Sequence, residues 1–136
     1  MPYTPREIFD LVSDVDAYPT FLPWCSAASI LVRDRDDVQA RISFSVGGVA
    51  KSFTTRNRYE GTHAIHMQLI DGPFRHLQGS WRFAALGDEG CRISLELEYD
   101  FASRMLAMVT GPVFNKIANS LVDAFRQRAV EVYGER

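Results

Sequence analysis

From residue 28 to residue 101 the chain repeats with a period of two, and beyond residue 103 it changes to a period near 3.6. The last stretch of the first regime is the clearest: Cys91, Ile93, Leu95, Leu97, Tyr99 and Phe101 alternate with Arg92, Ser94, Glu96, Glu98 and Asp100. Alternation of this kind describes a strand with one face buried and one in water. Turn chemistry cuts the regime into six predicted strands, 28–33, 38–46, 49–59, 63–71, 75–86 and 90–101. The separators are Asp34-Arg35-Asp36-Asp37, Gly47-Gly48, Glu60-Gly61-Thr62, Gly72-Pro73 and Gly87-Asp88-Glu89-Gly90. Connections so short make neighbours antiparallel. The inner face then carries Val38, Ala40, Ile42, Phe44 and Val46, then Phe53, Thr55, Asn57 and Tyr59, then Ile65, Met67 and Leu69, then Leu77, Trp81 and Phe83.

A one-sided sheet needs a cover, and the C-terminal segment is the element long enough to supply it. Gly111-Pro112 predicts a division into a shorter helix, about 103–110, and a longer one, about 112–133, which at 1.5 Å per residue spans roughly 33 Å. Val113, Phe114, Ile117, Ala118, Leu121, Phe125, Ala129 and Val132 fall on one arc of its wheel, with Lys116, Asn119, Asp123, Arg126 and Gln127 opposite. At the other end, Thr4-Pro5-Arg6-Glu7 reads as a capped helix start. Ile8, Phe9, Leu11, Val12 and Val15 form its buried face. The following Tyr18–Trp24 stretch, broken by Pro19 and Pro23, reads as an aromatic knot packed over something apolar. The expected fold is α+β, a curved antiparallel sheet of six strands around a long C-terminal helix, in one domain spanning 1–136.

Composition removes several function classes. Hydrophobic residues make up 46% and charged residues 24% of the sequence, which is ordinary for a globular chain. The net charge of -2 provides no global field for phosphate backbones or anionic lipid, so any such contact is local, and DNA is not an expected partner. Cys25 and Cys91 form no CxxC, and no stretch reads as a secretory or membrane-spanning segment, so a reducing cytoplasm with two buried free thiols is expected.

The candidate chemistry is sparse. Arg128 falls inside the apolar arc, where its guanidinium either meets a carbonyl-bearing ligand or an inward carboxylate, or snorkels to water. Thr55, Asn57 and Tyr59 share the inner face and suit either a ligand pocket or a self-satisfied hydrogen-bond network. His63 and His66 lie three apart on a strand and so face opposite sides, which argues against a metal site. His76 reads as a surface residue without a nucleophile motif. Lys51, Arg56 and Arg58, with Arg126 on the helix, make either a small basic patch or a solvated strand edge.

This order of elements resembles the helix-grip fold of START-like lipid-transfer proteins. Residues 9–25, with Tyr18-Pro19-Thr20-Phe21-Leu22-Pro23-Trp24-Cys25, residues 72–83, with Gly72-Pro73-Phe74-Arg75-His76-Leu77, and residues 123–129 narrow it further. They look like the coenzyme Q-binding, polyketide-cyclase-like family. Members of that family usually carry a strand before the first helix, giving seven; the start at Thr4 leaves no room for it, and a ladder edge is then expected to be unpaired.

The resemblance implies a non-catalytic carrier or chaperone supporting respiration, which holds ubiquinone or a related lipid as bound ligand, with no metal and no catalytic cofactor. It implies a cavity formed by Phe44, Phe53, Thr55, Asn57, Tyr59, Met67, Leu69, Trp81, Phe83, Leu97, Phe114, Ile117, Leu121, Phe125 and Arg128. A lid would come from Phe21, Leu22 and Trp24 or from Met105 and Met108. Burying ~300 Å² of isoprenoid surface is worth on the order of 7 kcal/mol before ordering costs. Such a carrier is expected in the cytoplasm with transient contact at the inner membrane. The alternative, from the family alone, is a ribosome-association toxin that binds the large ribosomal subunit and blocks subunit joining. The third is a polyketide cyclase or dehydratase, for which the inner face offers few titratable groups beyond Tyr59 and Arg128.

Overall fold

The computed structural model describes residues 2–88 and 90–135. Glu89, in the expected turn before the last strand, lies outside the described residues. Helix α1 (Pro5–Ser13) begins as its sequence dictates: Thr4 Oγ1 accepts from the Glu7 N–H at 3.1 Å, and the Glu7 carboxylate accepts from the Thr4 N–H at 3.0 Å. A capping pair of this kind is worth about 1 kcal/mol. A 3-10 turn (Val15–Ala17) and a four-residue helix α2 (Tyr18–Phe21) form the aromatic knot. There the buried Tyr18 hydroxyl donates to the Val12 carbonyl, and burial pushes its phenol far above the usual value.

Six strands follow, β1 (Cys25–Asp34), β2 (Asp37–Val46), β3 (Val49–Glu60), β4 (Ala64–Asp71), β5 (Phe74–Leu86) and β6 (Gly90–Phe101). They pair in sequence order, β1-β2-β3-β4-β5-β6, and every neighbouring pair is antiparallel. Between β2 and β3 the loop is only Gly47 and Gly48, whose φ values of +55° and +85° match the mirror-image turn that a twisted hairpin requires.

The C-terminal segment departs from expectation. It is one helix, α3 (Arg104–Tyr133), running unbroken through Gly111 and Pro112. The clash that normally keeps the residue before proline out of the helical region involves that residue's Cβ, and Gly111 has none. Pro112 removes one N–H, and the carbonyl it would have served belongs to Met108, which is exposed and open to water. The Ser103 hydroxyl caps the helix by accepting from the Leu106 N–H at 3.1 Å.

α3 presses on the concave face of the sheet through two aromatic clusters. Phe114 meets Phe44, Phe53, Phe74, Tyr99 and Phe101, at centroid distances from 4.7 to 6.3 Å. Further along, Phe125 meets Tyr18, Phe21 and Trp81 at 5.4–5.5 Å. Hydrogen bonds from Tyr3 Oη to the Gly134 carbonyl (2.7 Å) and from Tyr133 Oη to the Glu7 carbonyl (2.9 Å) tie α1 to the end of α3. Cys25 and Cys91 are buried and unbridged. Val132, assigned above to the inner arc, is exposed.

Candidate functional site

Between the two aromatic clusters lies a residual cavity of about 80 Å³. Phe53, Thr55, Asn57, Tyr59, Met67, Trp81, Leu97, Phe114, Ile117, Leu121 and Phe125, inward by alternation or helical spacing and expected in the cavity that the resemblance implies, all line it. Trp24, expected as lid, is part of its wall. The sequence reading missed Val12, Ser13, Val15 and Tyr18 from α1 and the knot, and Ile42, Ile65, Leu77, Leu95 and Ala118. Alternation and the helix wheel already put Ile42, Ile65, Leu77, Leu95 and Ala118 on the inward side, and only their place in the cavity wall went unassigned; the N-terminal ones depend on how α1 docks.

Four cavity assignments fail. Phe44 and Leu69 belong to the Phe114 cluster, and Phe83 lies buried against Trp81 and Phe9. Arg128 turns aside: its guanidinium sits 4.8 Å from the centroid of the Phe21 ring and pairs with Glu131 at 3.2 Å. An arginine next to a cavity of this size is more stable with its charge on an aromatic face and a surface carboxylate than desolvated inside. Four lid assignments are also corrected. Phe21 packs on Tyr18 and Phe125, and Leu22 is core. Met105 and Met108 point away from the cavity and are 75% and 73% exposed.

The polar part of the cavity wall is small. Thr55 donates to Asn57 Oδ1 at 2.8 Å, so the Asn57 amide nitrogen keeps its two N–H groups on a side chain lining the space. Burial pushes the Tyr18 and Tyr59 phenols upward, Tyr59 against a lowering influence from Arg33. Both stay protonated at neutral pH and are poor acids or bases there. An apolar cavity of roughly 150 Å³ is what benzene occupies in a protein core. A substituted quinone ring with an isoprenoid tail therefore enters only if side chains move. The place to move them is visible. A groove of about 720 Å³, containing Pro23, Val46, Pro112, Val113 and Lys116, shares Trp24 and Ile117 with the inner cavity, so these two side chains form the partition.

The convex face does not carry the basic patch considered above. Lys51 has the inward parity of Phe53, whereas Arg56 and Arg58 point outward, and Arg126 is on α3, paired with Asp123. Arg56 is held by both Asp37 oxygens at 3.0 Å, and its cation draws the Asp37 carboxyl below the usual range. Arg75 does the same to Asp100. The groove of about 400 Å³ on this face mixes Arg58, Gln68 and Gln78 with Glu96 and Glu98. His66 lies between Ser80 Oγ (2.9 Å) and Glu60 Oε2 (2.8 Å), and this hydrogen bond lowers the Glu60 carboxyl. His63 falls in the turn before β4, and His76 is half exposed, 3.6 Å from Glu98. Among the described residues, no three His, Cys, Asp or Glu side chains are placed to hold a metal ion.

A curved antiparallel sheet folded around its C-terminal helix, with residual apolar space between them, defines a START-like helix-grip protein. The chain belongs to the polyketide cyclase/dehydrase and lipid transport family, whose sequence profile matches residues 1–126. It is 44% identical over 134 residues to the ribosome association toxin RatA of Pseudomonas aeruginosa, covering 98% of this chain and 93% of that one. A more distant likeness, 24% over 136 residues, reaches the mitochondrial coenzyme Q-binding protein COQ10 homolog B of Xenopus laevis, covering 96% of this chain and 55% of that one. Among solved structures, an 18 kDa protein from Caulobacter crescentus superposes with a TM-score of 0.73 at 33% identity, covering 99% of this chain and 94% of that one. No helix among the described residues is long and apolar enough to cross a membrane.

Proposed function

We propose that this chain is a ribosome-associating protein that engages the large ribosomal subunit and blocks subunit joining, acting by binding and not by catalysis. The observation that carries this reading is the 44% identity to a ribosome association toxin along 98% of the chain. The geometry favours it over a carrier: the aromatic clusters leave about 80 Å³, less than a quinone needs. The non-enzymatic part rests on a cavity whose titratable side chains are two phenols pushed upward by burial. The test is reconstitution. Purified protein is expected to co-sediment with isolated large subunits and, near stoichiometric amounts, to reduce the formation of joined ribosomes from subunits. Binding through phosphate contacts would weaken steeply with added salt. Undiminished subunit joining at excess protein defeats the reading.

A second reading, binding of a hydrophobic ligand such as ubiquinone, is favoured by one observation: the Trp24–Ile117 partition separates an apolar cavity from an open groove. Rotation of Trp24 would join the two spaces, and the Asn57 amide would then offer a donor to a ligand carbonyl. Organic extraction and native mass spectrometry of the purified chain should recover a quinone or lipid, and Leu121→Trp, which fills the cavity, should abolish that retention. A chain that carries no such ligand and takes up no added ubiquinone ends this reading without touching the first.

A further inference from the structure

Between Arg104 and Lys116, helix α3 is apolar on both sides. Leu106 and Phe114 pack toward the sheet, while Met105, Met108 and Val109, spaced i, i+3 and i+4, face outward at 75%, 73% and 56% exposure. A helix that is apolar all round is ordinarily covered on all sides. The feature is concentrated at this end: the outer positions of the following turns are Asn119, Asp123, Arg126 and Gln127, and exposed apolar side chains return singly, at Val130 and Val132. Pro112 and Lys116 continue the outward line of Met105 and Met108, and both border the open groove, with Val46 across from them on the β2–β3 hairpin.

Charge says what kind of surface covers this end. The sequence contains no Asp or Glu between Asp100 and Asp123. Arg104, Lys116 and, beside the hairpin, Lys51 are exposed and enter no ion pair among the described residues. Arg104 even occupies the first turn of α3, where the helix dipole disfavours a cation. In a chain of net charge -2, Arg104 and Lys116 bracket this exposed apolar stretch along the helix, and Lys51 belongs to the hairpin whose Val46 faces Lys116 across the groove.

We propose that this end of the molecule docks on an anionic lipid bilayer, with Met105, Met108 and Val109 entering the acyl boundary while Arg104, Lys116 and Lys51 lie at phosphate depth. An apolar stripe flanked by basic residues is the pattern of a helix lying in a membrane interface. RNA fits less well, since phosphates gain nothing from two exposed methionines and a valine. A second copy fits less well too: a standard interface takes about 800 Å² from each partner, more than three side chains supply, and a two-fold contact here brings like charges together. This inference rests on neither functional reading above.

The test is co-sedimentation of the full chain with phosphatidylcholine vesicles, with and without phosphatidylglycerol. Retention is expected on the anionic vesicles, falling by more than about tenfold in Met105→Glu/Met108→Glu and several-fold in Arg104→Gln/Lys116→Gln. The methionine pair is exposed, and acids near a helix N-terminus are tolerated, so the melting temperature should hold. Failure to bind either vesicle, or binding that ignores both substitutions, overturns the proposal. So does loss of ribosome co-sedimentation in the methionine variant without any vesicle binding by the parent, which would assign the stripe to the ribosome. A dimer that the same variant dissolves, again without vesicle binding, would assign it to self-association and also overturn the proposal.

Discussion

Phe125→Ala is expected to lower the unfolding free energy by about 3–5 kcal/mol and to convert the narrow interior into a binding cavity. The side chain has no exposed surface, and its ring touches Tyr18, Phe21 and Trp81 at 5.4–5.5 Å. It is the piece of α3 that closes the knot, the sheet and the C-terminal helix against one another. The rings around it are held by other contacts, Trp81 by stacking on Phe83 and Tyr18 by its bond to the Val12 carbonyl, so they cannot collapse fully into the gap. The space left adjoins the existing cavity of about 80 Å³, which Phe125 itself lines. Apolar cavities of roughly 150 Å³ stay dry and take up benzene or xenon. Saturating benzene should therefore raise the melting temperature of the variant and leave the parent unchanged. Urea denaturation and thermal shift with and without benzene check both parts. A stability loss below about 1.5 kcal/mol would show that the core repacks around the gap, and equal stabilisation of parent and variant would show that the native interior already has room.

The contrast between what could be read from the sequence and what could not follows the range of the forces involved. Period-two alternation located all six strands to within three residues at their ends, because it reports only which face of a ladder meets water. The capping box at Thr4 was equally legible, since its partners lie three residues apart. The expected break at Gly111-Pro112 is absent because the two residues act together: glycine, lacking a Cβ, removes part of the clash that proline imposes on the residue before it. Lys51 was grouped with Arg56 and Arg58 by proximity along the chain, yet parity places it on the other face. The wheel angle of Arg128 left both an inward and a snorkelling guanidinium open, and the flexible stem takes the second, carrying the charge to Phe21 and Glu131. Least legible was the size of the cavity. Its wall was largely foreseeable, but its volume is the remainder after side chains from all three helices and five strands have interlocked, a quantity no local pattern carries.

Gly79→Val is expected to cost at least about 3 kcal/mol, and so to leave little folded protein at 37 °C if the chain has ordinary marginal stability. Gly79 sits in the middle of β5, paired to Met67 of β4 on one side and Leu97 of β6 on the other, with its missing side chain directed at the concave face. A Cβ there would lie 2.5 Å from the Glu96 carbonyl oxygen and 2.8 Å from Leu97 Cδ1. The first of these is backbone locked in the β5–β6 ladder, the most extensive pairing in the sheet, and it cannot swing away as a side chain does. Glycine inside a strand marks such a close approach, and here it lets the sheet bend tightly enough for Leu97 and Met67 to meet around the cavity. Even Gly79→Ala collides with that carbonyl, so alanine should already be destabilising, by about 2 kcal/mol, with valine worse. Hydrogen exchange should place the damage in β5 and β6 and spare the β2–β3 hairpin. If alanine at this position is neutral, the pinch between β5 and β6 is absent in solution, and with it the curvature that leaves a cavity between sheet and helix.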